Sequence, residues 1–374
     1  MVQHSDDHIA VVRLLGLPAL GSRRLLSLMQ HDRPGDIVTS ILGGRIGRSF
    51  DEFAAVWKAE LAADIGRRSD TNIVHELADT FVVSIHDDRY PERLRADRDP
   101  PPALFVRGEI HRLGRFGVAV VGTRHATEYG RSVASGLGRD LTAAGVDVVS
   151  GLALGIDAAA HRGALAALQV GTDGRGAPIG VVASGLDVVY PRANGGLWRA
   201  VADAGIVISE SPPGTPPDRF RFPLRNRIIA ALAHVVVVVE SRESGGSMIT
   251  VDEALKRDVP VMAVPGATTT RASDGTNHLL RDGALVATSA DDVLAVLGLE
   301  SIGMAHCVRD LRVTPRGVDA EVLAVFDMSP LDLDQVVQAC PPHTLGDVAL
   351  SLGRLESWGW LRHTSGWFER IAAV

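Results

Sequence analysis

The sequence predicts an α/β protein: an extended Rossmann-like parallel sheet with an N-terminal helical domain and a C-terminal winged-helix domain. Three observations support this prediction. Between residues 117 and 287, short continuous apolar runs alternate with helical stretches, as in parallel sheets covered on both faces. Glycine or serine directly follows most of these runs, and both ends of the chain carry helix-spaced apolar residues. We assign the helical domain to 1–75, the Rossmann-like domain to 76–300, a linker to 301–315 and the winged-helix domain to 316–374.

Composition sets limits on the class of protein. A chain of 374 residues with 46% hydrophobic and 22% charged residues has enough apolar material for two or three packed domains. The net charge of −7 disfavours indiscriminate coating of DNA but permits a local basic groove. Cys307 and Cys340 lack metal-site spacing and indicate free thiols in a reducing compartment. With no recognisable signal sequence or membrane-spanning run, we expect a cytoplasmic protein without membrane association.

The N-terminal region carries helix-spaced apolar residues in Val11–Leu15 and Leu25–Met29, around the turn Leu17–Ser22. This SAM- or helix-hairpin-helix-like pattern suits a turn whose amides grip a phosphate. Ala19 replaces the second glycine of the usual turn, so an accessory helical bundle is favoured over a DNA-gripping hairpin. Residues 81–106, with their prolines and short β pieces, are predicted to connect this region to the next domain and to pack on it.

The Rossmann-like region contains seven predicted strands, and Asp157 is expected to cap the helix Ala158–Leu168 that follows the second of them. The strands are Gly117–Val121, Val146–Val149, Ile179–Ala183, Ile206–Ile208, Val235–Val239, Pro260–Val264 and the short Leu285–Ala287.

The loops after these strands are expected to meet at one edge of the sheet, where α/β proteins bind their ligands. Small residues there let main-chain amides approach a phosphate, and helix N-termini favour negative charge. These loops therefore predict a phosphate-bearing ligand. The residues expected to contact it are Gly122, Thr123, Arg124, Ser150, Gly151, Gly246 and Ser247.

The stretch Ser209–Glu240 adds cations and rings to the same edge. From Asp218 to Arg227 it carries four arginines against one aspartate, a local charge of +3. Guanidinium groups hold phosphates and aromatic rings stack on bases, so nucleic acid is the ligand this composition favours over a solvated basic turn. The residues expected to contribute are Arg219, Phe222, Arg225, Asn226 and Arg227.

Enzyme signatures are weak. There is no Walker-type G-x-x-x-x-G-K-S/T, and the loop Gly151–Gly155 is not a dinucleotide fingerprint. Asp157 and His161 lie four residues apart on one helix, but a structural role is favoured over an acid–base pair because no nucleophile is placed beside them. We expect no catalytic residue, no metal and no cofactor.

The C-terminal segment predicts three helices, Ala320–Phe326, Leu333–Cys340 and Thr344–Ser357, and then a hairpin formed by 360–363 and 367–370. This is the order of a winged helix. The third helix has one arginine against Asp347 and Glu356, so protein contact or a structural role is favoured over DNA reading.

Over nearly its whole length the chain resembles the DNA-processing protein A (DprA/Smf) family. The resemblance rests on several motifs in one order: V-V-G-T-R at 120–124, S-G-L-A-L-G-I-D-A-A-A-H at 150–161, S-G-L-D-V-V-Y-P at 184–191, R-N-R-I-I-A at 225–230, G-G-S-M-I-T at 245–250, A-V-P-G at 263–266 and G-T-N-H-L-L at 275–280.

The resemblance implies a non-enzymatic homodimer that binds single-stranded DNA in natural transformation and loads the RecA recombinase while displacing single-strand-binding protein. It also implies a DNA pocket that uses Arg124, Arg192 after Tyr190-Pro191, and the pair Arg219 and Phe222. The chain departs from the family at 244–247, where S-G-G-S replaces R-S-G-S and removes one cation, and at 171–178, an apparent insertion.

Two other classes of function stay open on the sequence. Gly245-Gly246-Ser247 with Glu253 distantly echoes the motif of lysine-decarboxylase-like nucleoside-monophosphate hydrolases, although that motif's proline, third glycine and threonine are missing. The third possibility is a docking scaffold whose working surface is the winged helix.

Overall fold

The computed structural model describes residues 4–169, 175–299, 313–326, 330–364 and 366–371. The chain forms two compact units, residues 1–300 and 301–374. A nine-stranded sheet runs through the first unit. The strand order is β1-β2-β6-β5-β4-β3-β7-β8-β9. The strands are β1 (Phe81–Ser84), β2 (Ala103–Gly108), β3 (Gly117–Val121), β4 (Asp147–Ser150), β5 (Pro178–Val181), β6 (Ile206–Ser209), β7 (Val235–Val238), β8 (Val261–Ala263) and β9 (Leu285–Val286).

The sheet confirms the predicted strands, and β3 matches its predicted bounds at both ends. In the sheet order from β6 through β5, β4, β3, β7 and β8 to β9, neighbouring strands pair in parallel. β2 pairs antiparallel with β6, and β1 pairs antiparallel with β2. The predicted connector 81–106 therefore contributes two strands, because its apolar runs Phe81–Val83 and Leu104–Val106 pair with each other and with β6. The order reverses between β3 and β7, so the switch point lies at their carboxyl ends.

Helices cover both faces of the sheet, as the continuous valine-rich strands require. Val118 and Val120 of β3 contact the layer that contains α7 and α8, while Ala119 and Val121 contact the opposite layer. The helices of this region are α6 (Glu92–Arg95), α7 (Glu128–Ala143), α8 (Ile156–Leu168), α9 (Gly195–Ala204), α10 (Arg221–Leu232), α11 (Gly246–Leu255), α12 (Asp274–Arg281) and α13 (Ala290–Val296).

Five N-terminal helices share a hydrophobic cluster with β2 and β6, where Trp57 lies in one core with Phe105 and Val207. In the turn before α2, Ala19 takes a left-handed φ of 58°, a conformation that favours glycine. At the start of α2, the Ser22 hydroxyl donates a 3.1 Å hydrogen bond to Glu210, a carboxylate of this chain. The helices are α1 (Asp6–Leu15), α2 (Gly21–Met29), α3 (Pro34–Leu42), α4 (Asp51–Arg67) and α5 (Asp70–Leu77).

The second unit has its own core, formed by residues such as Val322, Val336, Val348 and Leu352. It contains the predicted helices and hairpin, and adds the short strand β10, which pairs with β12. Its elements are α14 (Val318–Ala324), β10 (Leu331–Asp332), α15 (Leu333–Ala339), α16 (Leu345–Ser357), β11 (Leu361–Thr364) and β12 (Trp367–Arg370).

The remaining predictions concern the cysteines, the linker, the insertion, membrane spans and metal sites. Cys340 is a buried free thiol, as predicted, while Cys307, most of the linker 301–315 and part of the insertion 171–178 lie outside the described residues. No helix in the described ranges is both long and apolar enough to cross a bilayer. Within the same ranges, no group of three or more His, Cys, Asp or Glu side chains is placed to hold a metal ion.

Candidate nucleic-acid interface

A cavity of about 50 Å³ opens at the carboxyl ends of β4 and β5, beside the switch point. Its walls come from the loops after β3, β4, β5 and β6 and from the first turns of α10. The lining residues are Arg124, Gly151, Ala153, Leu154, Val182, Ala183, Ser184, Tyr190, Pro191, Pro217, Phe222 and Arg225. The cavity therefore joins the first part of the arginine-rich stretch to the glycine and serine loops, as the sequence predicts.

The rim of the cavity is a row of one cation and two rings. The Arg124 guanidinium carbon lies 5.0 Å from the centre of the Phe222 ring, and that ring centre lies 5.6 Å from the Tyr190 ring. Arg124 is exposed, Tyr190 is 40% exposed and Phe222 is half-buried. A cation beside two accessible rings can bind a phosphate and a flat base at the same time.

Arg225 forms the floor of the cavity. It is only 6% exposed, and its guanidinium donates to the main-chain oxygens of Gly151, at 2.8 Å, and Val181. Burial lowers its pKa to about 10, an effect opposed by Asp157 and reinforced by Arg124. The arginine is thus a fixed positive charge below the rim, held by the protein's own carbonyl groups.

Gly151 is held on both sides. Its N–H donates to Asp157 at 3.0 Å, and its carbonyl accepts from Arg225. A β-carbon at this position would lie 2.5–2.7 Å from the Arg225 guanidinium, which explains the glycine. In this structure Asp157 accepts from the Gly151 amide, so contact of Gly151 with nucleic acid stays a prediction.

Asp157 does not cap α8, contrary to the prediction. The N-cap position is Gly155, and the Asp157 carboxylate instead accepts from the Gly151 and Ala153 amides. Burial raises the pKa of Asp157, and the positive charge of Arg225 opposes that effect. Burial also lowers the pKa of His161, one turn further along, to about 4. Asp157 therefore supports the loop that lines the cavity floor, and His161 is a buried neutral ring.

The predicted loop serines are engaged within the protein. Ser150 is buried and donates a 2.7 Å hydrogen bond to the Val120 main-chain oxygen. Ser247 is buried and donates to the Ser241 hydroxyl at 2.7 Å. Each hydroxyl hydrogen is directed to an internal acceptor in this structure, and the contact of Ser150 and Ser247 with nucleic acid stays a prediction.

Arg227 and Asn226 also face inward. Arg227 is buried and donates to Glu210 at 2.5 Å and to the Asp99 main-chain oxygen at 2.6 Å. Asn226 accepts from Arg225 at 3.2 Å and lies 3.4 Å from the Gly246 oxygen. Burial raises the pKa of Glu210, against the effect of its partner Arg227. In this structure Arg227 and Asn226 hold α10 against the segments after β6 and at the start of α11, and their contact with nucleic acid stays a prediction.

The switch point between β3 and β7 is filled by Glu240. Its main-chain oxygen accepts from Thr123 N–H at 2.7 Å, and its carboxylate accepts from Thr127 N–H at 2.9 Å, at the start of α7. A β-carbon on Gly122 would lie 2.7 Å from the Glu240 oxygen. The Thr123 amide is therefore engaged by this chain's own glutamate, and the contacts of Gly122 and Thr123 with nucleic acid stay predictions.

The remaining predicted residues, Arg192, Arg219 and Gly246, are exposed. Arg192 follows Pro191, which lines the cavity, and Arg219 lies in the loop after β6, close in sequence to the lining residue Pro217. Gly246 is exposed at the start of α11.

Sequence reasoning missed two side chains of the rim, Tyr190 and Leu154. Leu154 is exposed in the loop after β4, and Tyr190 packs beside Phe222. The signal for Tyr190 was present, because the motif Tyr190-Pro191 served to locate Arg192. What the sequence did not indicate is that the ring itself reaches the aromatic residue of α10, more than thirty positions later.

Glu253, the glutamate on which the hydrolase alternative rests, is engaged elsewhere. Its carboxylate accepts from Lys256 at 2.8 Å and from Arg257 at 2.5 Å. Burial raises its pKa, but these hydrogen bonds outweigh that effect and hold the pKa below its usual range. A carboxylate held by two cations is a poor proton acceptor, so the geometry does not support the hydrolase alternative.

Comparison with known proteins gives consistent results. A sequence model described as DNA recombination-mediator protein A matches residues 81–298. DNA processing protein DprA of Streptococcus pneumoniae is 43% identical over 216 residues, which is 57% of this chain and 72% of that protein. Protein Smf of Synechocystis is 30% identical over 383 residues, covering 88% of this chain and 94% of its own length.

Solved structures resemble the fold as well. The X-ray structure of DprA from Streptococcus pneumoniae matches with a TM-score of 0.65 and 32% identity, covering 79% of this chain and 98% of that one. A structure of DNA processing protein A from Helicobacter pylori, described for its single-stranded DNA binding mode, matches with a TM-score of 0.51 and 29% identity, covering 58% and 95%. The chain therefore belongs to the DNA recombination-mediator protein A family, whose members include DprA and Smf.

Proposed function

We propose that this chain binds single-stranded DNA at the cavity between the ends of β4 and β5. One observation carries the proposal: the exposed Arg124 lies over Phe222, which packs beside Tyr190, and the buried cation Arg225 lines the same cavity. Rings and cations in one place suit a ligand that has both unpaired bases and phosphates. Duplex DNA keeps its bases stacked inside and cannot offer their faces to these rings.

The arrangement of the lining side chains suggests how such a ligand would sit. The rings of Tyr190 and Phe222 lie at the rim of the cavity, whereas Arg225 is buried in its floor. We infer that phosphate oxygens point toward the cavity, where Arg124 and Arg225 supply positive charge. The bases would stack outside on Tyr190 and Phe222, and the exposed Arg192 and Arg219 would contact flanking phosphates.

Membership of the family supports a wider role, which we include in the proposal. The chain would act without catalysis, as a cytoplasmic homodimer that delivers the RecA recombinase to single strands during recombination or natural transformation. The topology of residues 316–374 fits a winged helix. On α16 the guanidinium of Arg354 is held by Asp319 at 2.6 Å, so we assign this unit a supporting role and not DNA reading.

The proposal is tested by fluorescence anisotropy of a labelled oligothymidylate of about 12 nucleotides, within the range of known single-strand sites. Arg124→Ala should weaken binding and reduce the slope of log K against log salt by about 0.7, one phosphate contact. Arg115→Ala is the matched control: this exposed arginine precedes β3, at the opposite edge of the sheet. Equal affinities and slopes for both variants and the wild type would reject the site.

A further inference from the structure

Tyr129 presents a large ring at the same sheet edge as Arg124. The residue lies in the first turn of α7 and is 52% exposed. Its hydroxyl donates a 3.0 Å hydrogen bond to the main-chain oxygen of Pro265, in the loop that follows β8. Burial and the nearby Glu240 raise the pKa of this phenol, so it remains a hydrogen-bond donor. One end of the ring is therefore fixed while about half of the residue's surface stays open.

The sheet order puts Tyr129 and Tyr190 at opposite ends of one row of loops. Tyr190 follows β5, Arg124 follows β3, and Tyr129 touches the loop after β8. From β5 through β4, β3 and β7 to β8 there are four steps between neighbouring strands, so the row is about 19 Å long. The third tyrosine of the chain, Tyr90, is buried, so the two exposed tyrosines mark the two ends of this row.

We propose that Tyr129 is a second base-stacking subsite, which a single strand reaches after leaving the cavity and crossing Arg124. This inference rests on the single-strand binding proposed above and extends it from one cavity to a track along the sheet edge. A ring already fixed by its hydroxyl loses little freedom when a base stacks on it. Such stacking tolerates every base, since each base has a flat face.

The charged groups near Tyr129 do not make a positive site. Arg242 follows β7 and Arg271 follows β8, both exposed, but Glu243 lies beside Arg242 and Asp274 begins α12. The two loops are in contact, because the Gly275 N–H donates to the main-chain oxygen of Ser241. Glu240, which raises the pKa of Tyr129, adds a further negative charge, so this end of the row does not attract phosphate. The ring would therefore supply the affinity here, whereas Arg124 supplies charge, and the two contributions should differ in their response to salt.

The test compares oligothymidylates of about 4 and about 12 nucleotides, lengths that span the range for single-strand binders. Tyr129→Ala should weaken binding of the longer strand roughly 5- to 100-fold and leave the shorter one unchanged. For Tyr129→Ala, the slope of log K against log salt should equal that of the wild type. Tyr129→Phe keeps the ring and should bind within about threefold of the wild type. Phe116→Ala removes a ring that is 46% exposed before β3, at the opposite edge, and serves as the control.

The possible outcomes separate this inference from the proposed function. If Arg124→Ala weakens both strands while Tyr129→Ala weakens neither, or weakens both equally, the second subsite is wrong and the cavity stands. A loss with Tyr129→Phe as large as with Tyr129→Ala would also overturn it, because the ring would then not be the contributing group. If Arg124→Ala changes nothing, the proposed function itself fails.

Discussion

Replacing Arg225 with alanine should lower the free energy of unfolding, whereas replacing Arg124 should lower only the affinity for single-stranded DNA. Arg225 is buried and donates to the carbonyls of Gly151 and Val181, and it opposes the buried charge of Asp157. Its removal leaves two acceptors without their donor and one carboxylate without its counter-charge. Leaving a buried carboxylate uncompensated and two buried acceptors unpaired in this way costs about 3–5 kcal/mol. Arg124 is exposed, so its removal should change the free energy of unfolding by no more than about 0.5 kcal/mol.

Urea unfolding of the full chain, followed by far-ultraviolet circular dichroism, measures the difference. Adding Asp157→Asn to Arg225→Ala should recover part of the loss, because the uncompensated charge is then removed while an oxygen remains for the Gly151 and Ala153 amides. An Arg225→Ala midpoint equal to that of the wild type would refute the reasoning. A double variant that loses the full sum of the two single losses would refute its electrostatic part.

Three further predictions concern the surroundings of the site. In Gly130→Ala the added methyl meets the Glu240 carboxylate, so the free energy of unfolding should fall by about 1–3 kcal/mol. Gly136→Ala on the same helix has free space for the methyl and should show no loss of stability when the two variants are compared by thermal melts. Burial lowers the pKa of His161 from 6.5 to about 4, so the folded chain should lose roughly 3 kcal/mol of stability as pH falls from about 6.5 to 4. His161→Gln should flatten that part of the curve of urea midpoint against pH, and an unchanged slope would contradict the burial of a neutral ring. Ser247→Ala should keep affinity for single strands within about twofold by anisotropy, because the hydroxyl is bonded to a neighbouring serine; a tenfold loss would restore it as a DNA contact.

The strands and the position of the site could be predicted because they depend on local pattern. A run such as Val235–Val238 has no polar alternation and fits only a strand buried on both faces. Parallel strands bring their carboxyl ends together, so Arg124 and the loop after β4 had to lie on one edge. The two antiparallel strands were harder to predict, because Phe81–Ser84 and Ala103–Gly108 are separated by a proline-rich segment that resembles a connector.

The individual contacts could not be predicted because they depend on partners far away in sequence. Arginines are usually exposed, and nothing local indicates that Arg225 meets Val181 or that Arg227 meets Asp99. Both lie on α10, whose residues from Arg225 onward are buried, whereas Arg219 precedes the helix and is exposed. Glu240 is a similar case. It follows β7, and nothing in the local sequence indicates that its carboxylate accepts from Thr127 at the start of α7, the helix that follows β3.

The central claim is that a single strand lies on the rings beside Arg124, and photo-crosslinking tests it most directly. A 5-iodouracil-substituted oligonucleotide would be irradiated with the full-length chain, and the adducts mapped by mass spectrometry. The account predicts adducts on Phe222 or Tyr190 that disappear in Arg124→Ala. Adducts concentrated on Trp367, an exposed ring of the second unit, with none at the cavity, would contradict it.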